Sequence, residues 1–167
     1  MAELTAQERL QPSLLDRLTD DDPGKREEGR DQRVISANRL RECVTRDLGW
    51  LLNTVWMESD QSLESLPEVQ KSVLNYGIPD LTGTAISGLD ASALQRRLRE
   101  TILQFEPRLT AETLKVVVEA SDDRMDRRSL VFRIESEMWA QPIPLNLYLK
   151  TEVDLETGRL NVTESLG

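Results

Sequence analysis

Leu145-Asn146-Leu147-Tyr148-Leu149-Lys150-Thr151-Glu152-Val153-Asp154-Leu155 alternates apolar and polar residues almost without exception. Successive side chains of a β-strand point to opposite faces, so a period of two describes a strand with one buried face. Thr157-Gly158 then supplies a turn, and residues 160–163 read as a short returning strand. Two earlier stretches share the period. Leu114, Val116, Val118 and Ala120 alternate with Thr113, Lys115, Val117 and Glu119. Leu130, Phe132, Ile134, Met138 and Ala140 alternate with Val131, Arg133, Glu135 and Glu137.

Upstream of the strands the period changes. Val34, Ala37, Leu40, Val44, Leu48, Leu51 and Val55 recur at steps of three and four. They build one apolar helix face, with Arg39, Glu42 and Arg46 opposite. Asp31 or Ser36 stands near the start of this helix. Residues 57–65 read as a loop, and residues 67–75 as a short helix that Pro67 opens and Gly77 ends. A further helix is expected over residues 90–105, with Asp90 as its N-cap and Leu94, Leu98, Ile102 and Phe105 as its core face. Pro107 forces Glu106 out of helical geometry and stops it. Helices followed by strands predict an α+β fold, with N-terminal helices on one face of a small, mostly antiparallel sheet. No internal repeat is present.

Residues 1–32 have a different character. A short amphipathic segment, residues 12–18, carries Leu14, Leu15 and Leu18, and Ser13 is placed to cap it. Residues 19–31 are charged, contain two glycines and a proline, and lack apolar side chains. Such a run reads as a flexible linker. The chain therefore divides into an N-terminal arm, residues 1–32, and a domain, residues 33–167. The leucines either fold back on that domain or dock on a partner protein as helix-in-groove anchors. The soluble tether favours the partner.

Charge and composition exclude several function classes. The 167 residues include 21 Lys and Arg against 30 Asp and Glu, a net charge of −9. Nucleic acid and anionic membrane surfaces are poor partners for such a chain. Residues 1–11 contain no hydrophobic signal region, and no apolar run is long enough to span a bilayer. With a single cysteine, Cys43, no internal disulfide forms, which suits a reducing compartment. The expectation is a soluble cytoplasmic protein. There is no histidine, which removes Ser-His-Asp and Cys-His chemistry and the common zinc sites. No Gly-rich phosphate loop occurs. Neither a cofactor nor a small-molecule substrate is expected.

Glu106-Pro107-Arg108 is the most informative triplet. Pro107 fixes the chain, and in an extended segment residues two apart point to the same side. Glu106 and Arg108 then stand together as an acid and a fork-shaped base. One reading is a local pair at a structural corner. The other is a recognition corner for a partner's charged or backbone groups. Trp50, Trp56 and Trp139 pose a similar choice between packing and contact, and packing is preferred for Trp139.

Five segments carry a family resemblance. They are Ser13-Leu14-Leu15-Asp16-Arg17-Leu18, Arg46-Asp47-Leu48-Gly49-Trp50-Leu51-Leu52-Asn53-Thr54, Ser72-Val73-Leu74-Asn75-Tyr76-Gly77-Ile78-Pro79-Asp80, Phe105-Glu106-Pro107-Arg108-Leu109, and the closing strand from Leu147 through Gly158. In this order and spacing they resemble the lysozyme-like baseplate wedge family of contractile phage tails and its type VI secretion branch. One departure is visible: Val55-Trp56 stands where many relatives carry Arg after Asn-Thr.

The resemblance implies an assembly part and not an enzyme. It implies a place beside the TssF and TssG wedge subunits, with TssK and a contractile sheath of the VipA/VipB type as further partners. It further implies that a sheet edge is offered to the first sheath ring, and that Glu106, Pro107 and Arg108 are assembly determinants. The final hairpin is the candidate edge, since its second strand is short and terminal. Two alternatives compete. A glycoside hydrolase would use Glu106 as acid, with Glu112 or Glu119 as the second carboxylate. With aromatic residues at 4% of the chain, a sugar-stacking cleft is a poor expectation. A regulatory protein-binding module of the same fold is the third class.

Overall fold

The computed structural model describes residues 13–19, 24, 36–60, 62–83, 90–120, 129–138 and 144–164. The linker expected over residues 19–31 lies mostly outside these, as do Asp31, Val34 and the bend expected at Trp139.

Helix α1, Leu14–Leu18, is capped by Ser13, whose hydroxyl accepts the Asp16 amide. Helix α2, Ala37–Leu52, begins at Ser36, whose hydroxyl accepts the Arg39 amide at 3.1 Å. It ends before Val55, three residues short of the apolar stripe. Asn53 explains the stop: its carboxamide turns back to donate to the Gly49 carbonyl at 2.8 Å and also reaches Leu160. Val55 leaves the helix and forms a parallel bridge with Ile78. The single helix expected over residues 67–75 is split. Helix α3 covers Pro67–Gln70, and the Ser72 hydroxyl caps the Leu74 amide to start a separate 3-10 turn, Val73–Asn75. The expected loop after α2 likewise holds a 3-10 turn, Met57–Ser59. Helix α4, Ala91–Phe105, starts on the Asp90 carboxylate, which accepts the Ala93 amide at 2.9 Å.

Four strands follow: β1 Lys115–Ala120, β2 Ser129–Met138, β3 Leu145–Asp154 and β4 Leu160–Glu164. They form one antiparallel sheet in the order β1-β2-β3-β4, so β1 and β4 are its edges. Gly158, at φ +70°, closes the last hairpin and donates its amide to the Asp154 carbonyl at 2.8 Å. Alternate residues of each strand face the helices, and Val44, Leu48, Leu98 and Ile102 share one core with Phe132, Ile134, Leu147, Leu149 and Val153. The opposite phase, including Arg133, Lys150 and Glu152, faces solvent. The expected α+β architecture is the observed one.

Gly77 holds the bridge between the end of α2 and the following loop. Its φ is +128°, and a Cβ there would lie 2.3 Å from the Thr54 carbonyl oxygen. That carbonyl accepts the Ile78 amide at 2.8 Å. Gly77→Ala is therefore expected to lower unfolding free energy by about 1–3 kcal/mol through backbone strain. Urea denaturation monitored by circular dichroism measures it.

Candidate partner-binding site

Helix α4 stops because Pro107 forces Glu106 out of helical geometry, to φ −123° and ψ 77°. The chain then makes a turn, with the Leu109 amide donating to the Glu106 carbonyl at 3.2 Å. This turn folds Arg108 back over Glu106. The Arg108 backbone amide and Nε both donate to Glu106 Oε1, the latter at 2.6 Å, and Nη2 donates to Oε2. The acid and the base thus stand on one side of Pro107 but face each other. Glu106 is only 3% exposed. A buried carboxylate costs several kcal/mol unless it is paired and hydrogen-bonded, and the guanidinium fork does both.

The same guanidinium extends the pairing onto α2. Arg108 Nη2 also donates to Asp47 Oδ2 at 2.6 Å. Asp47 Oδ1 accepts Arg46 Nε and Nη2 at 2.9 and 2.7 Å. Arg46 Nη1 lies 2.7 Å from Asp16 Oδ1 on α1, and the Ser13 hydroxyl donates to Asp16 Oδ2. Arg46 also lies over the Trp50 ring, 4.9 Å from its centroid. One ion-pair chain therefore runs from the end of α4 across α2 to α1. Burial opposes the charge on Arg108, but Glu106 and then Asp47 outweigh it and hold its pKa above the ordinary arginine value. Burial likewise opposes the charge on Arg46, and Asp47 and then Asp16 outweigh it.

Helix α1 lies against α2 through this polar contact. The Asp16 side chain is 7% exposed, whereas Leu14 and Leu18 are 71% and 74% exposed. Leu15 is half-exposed and lines a cavity of about 210 Å³ beside Tyr76, Phe105, Glu106 and Arg108. Tyr76 meets Phe105 edge to face at 5.1 Å. The buried Cys43 thiol on α2 interacts electrostatically with Asp16. Burial first, and then Asp16, push that thiol above its ordinary pKa. Burial acts to raise the Asp16 pKa, but its contacts with Ser13, Arg46 and Cys43 bring it below 3.8. The triplet and the leucines, far apart in sequence, thus converge on one face of α2. The members that link them, Asp16, Arg46 and Asp47, were not singled out from sequence. Their signal was position: each sits inside a segment that carries the family resemblance.

A side chain from the helical layer meets each edge of the sheet near one end. On β4, the Asn53 carboxamide donates to the Leu160 carbonyl at 2.9 Å and accepts the Leu160 amide at 3.0 Å. On the chain entering β1, Arg99 donates to the carbonyls of Leu114 and Ala111.

A family model described as "Baseplate wedge protein gp25" matches residues 38–143, more than half of the chain. The chain belongs to this family. The family includes TssE of type VI secretion and is a structural baseplate family. No curated protein and no solved structure matches the chain. The match spans α2, the Glu106-Pro107-Arg108 corner and the first two strands of the wedge fold. No helix among the described residues is long and apolar enough to cross a membrane. The wedge domain's geometry also bears on glycoside hydrolysis. Glu106 is buried with its carboxylate engaged by Arg108, and Glu119 is paired with Arg133.

Two outcomes follow from the ion-pair chain. Arg108→Met leaves Glu106 buried without its partner and is expected to cost about 3 kcal/mol or more. Adding Glu106→Gln should recover much of the loss, which paired urea titrations measure. The second concerns α1. Because the Asp16 pKa is depressed, its contribution to α1 docking is present above the ordinary aspartate pKa and fades as pH falls through the depressed value. Asp16→Asn should therefore speed labelling of Cys43 by a thiol reagent at neutral pH, relative to the wild-type chain at the same pH.

Proposed function

We propose that this chain is the TssE-type wedge subunit of a type VI secretion baseplate. It binds TssF and TssG and helps to template the contractile sheath. The family match over residues 38–143 carries the proposal. In this reading the arm, residues 1–32, and the domain, residues 33–167, act together. Leu14, Leu15 and Leu18 supply an apolar contact for another wedge subunit. Glu106, Pro107 and Arg108 hold the corner beside it. TssK and sheath subunits of the VipA/VipB type are the remaining partners, the latter meeting an edge of the sheet. The protein works in the cytoplasm, at a baseplate docked on the inner-membrane secretion complex.

The exposure of the leucines supports their role. An apolar pair at positions i and i+4 left in water, on a helix whose buried group is a carboxylate, is an arrangement that stability of the free domain does not require. A regulatory module of the same fold would also offer such a surface, but it would bind one protein outside any large assembly. Sheath and baseplate genes beside this one would separate the two.

Co-purification with TssF and TssG tests the proposal. Leu14→Ser with Leu18→Ser should leave the fold and its melting temperature within experimental error, because both side chains are exposed. The same pair should reduce recovery of the complex roughly tenfold, the scale of losing two interface anchors. Full recovery by the folded variant would remove the leucines from the interface. Failure of the wild-type chain to bind either subunit would overturn the assignment.

A further inference from the structure

We propose that α1 is an ionic latch: it presents Leu14 and Leu18 to a partner only while Asp16 is seated on Arg46, and dissolved salt sets the fraction of chains in which it is seated. The inference rests on the reading above, in which the leucines contact another wedge subunit, and it adds how that contact is regulated.

The hydrogen bonds of α1 close on themselves. The Ser13 hydroxyl accepts the Asp16 amide and donates to Asp16 Oδ2, and the Thr19 hydroxyl donates to the Leu15 carbonyl at 2.9 Å. The helix is thus capped at both ends by its own neighbours, and these caps do not depend on the domain. Among the described residues, one ion pair ties α1 to the domain, Asp16 with Arg46 at 2.7 Å. One apolar side chain assists it: Leu15 lines the cavity beside Tyr76 and Phe105 while staying 46% exposed. Leu14 and Leu18 remain in water. Five residues are too few for a helix that is stable alone. An ion pair whose Arg46 side is 31% exposed contributes little and stays open to screening. Docking is therefore marginal, and seated and released forms of α1 coexist.

The catch stays built when α1 is away. Asp47 holds Arg46 through Nε and Nη2, and the guanidinium lies over the Trp50 ring. Nη1, the atom that meets Asp16, takes part in neither Asp47 bond. It is aimed at α1 in advance, so seating requires no rearrangement of α2.

This arrangement has a distinctive consequence. Rising salt stabilises the separated charges of Asp16 and Arg46 and so favours release. Binding through Leu14 and Leu18 then weakens in salt, although apolar side chains carry no charge for salt to screen. Apparent affinity scales with the seated fraction: about one chain in ten seated means about tenfold weaker binding.

The Leu15 methyl resonances report seating, because the Tyr76 and Phe105 rings shift them only while Leu15 lines their cavity. They are recorded by NMR between about 0.01 and about 1 M NaCl, over which the Debye length falls from roughly 30 to roughly 3 Å. Affinity for the TssF–TssG complex is measured at the same salt concentrations. In the wild-type chain the methyl resonances should move to their unstructured positions as salt rises, and affinity should fall roughly tenfold. Asp16→Asn should show the released positions and the weaker affinity already at low salt, with little further change. Wild-type Leu15 methyls that ignore salt would overturn the latch, as would an Asp16→Asn variant whose binding keeps the wild-type salt dependence. Leu14→Ser with Leu18→Ser tests the underlying reading separately. Its Leu15 methyls should respond to salt as in the wild-type chain, while its binding stays weak at every salt concentration. Normal binding by that variant would remove the leucine contact, and with it the latch's role in binding, whatever the methyls do.

Discussion

A carboxylate buried to 3% exposure has to be answered by a fixed positive charge, and Glu106 is answered by Arg108. Much of the site depends on that requirement. Pro107 ends α4 and fixes the turn that brings the guanidinium back over the carboxylate. The guanidinium has donors to spare, and it uses one to hold Asp47. Asp47 in turn orients Arg46, and Arg46 receives Asp16 from α1. A local solution to one desolvation problem therefore becomes the frame that positions three helices on one face of the domain.

The frame divides the surface by chemistry. Asp16 of α1 points inward, and Leu14 and Leu18 are left pointing outward. An isolated five-residue helix has little stability of its own, and its place is set by Asp16 far more than by apolar burial. This inverts the usual arrangement of an amphipathic helix. It is the arrangement that the proposed contact with another wedge subunit requires. Glu106 here holds Arg108 in place through a buried ion pair.

The end of α2 plays the corresponding part for the sheet. Asn53 terminates the helix and, with the same amide, closes the first outward position of β4. Helix and edge strand are thereby held at a fixed separation, with Gly49 leaving the space between them open. Arg99 serves the chain entering β1 in a similar way. Each edge is thus tied to the helical layer near one end.

The sequence by itself determined the periods and the punctuation. Alternation from Leu114 to Leu155 marked strands because side chains of a strand alternate faces, whatever the strand packs against. Asp90, Ser36, Pro107 and Gly158 marked helix starts, a stop and a turn because their effects act within a few residues. The family segments pointed to the Glu106-Pro107-Arg108 corner as a proposed assembly determinant. Only the tertiary structure decided that Glu106 and Arg108 face each other, since that depends on a turn and not on an extended chain. It alone joined Asp16 to Arg46 and Asn53 to Leu160, contacts between residues 30 and 107 positions apart. Such pairings follow from how helices and sheet pack around a shared core, and no local pattern encodes which side chains that packing brings together.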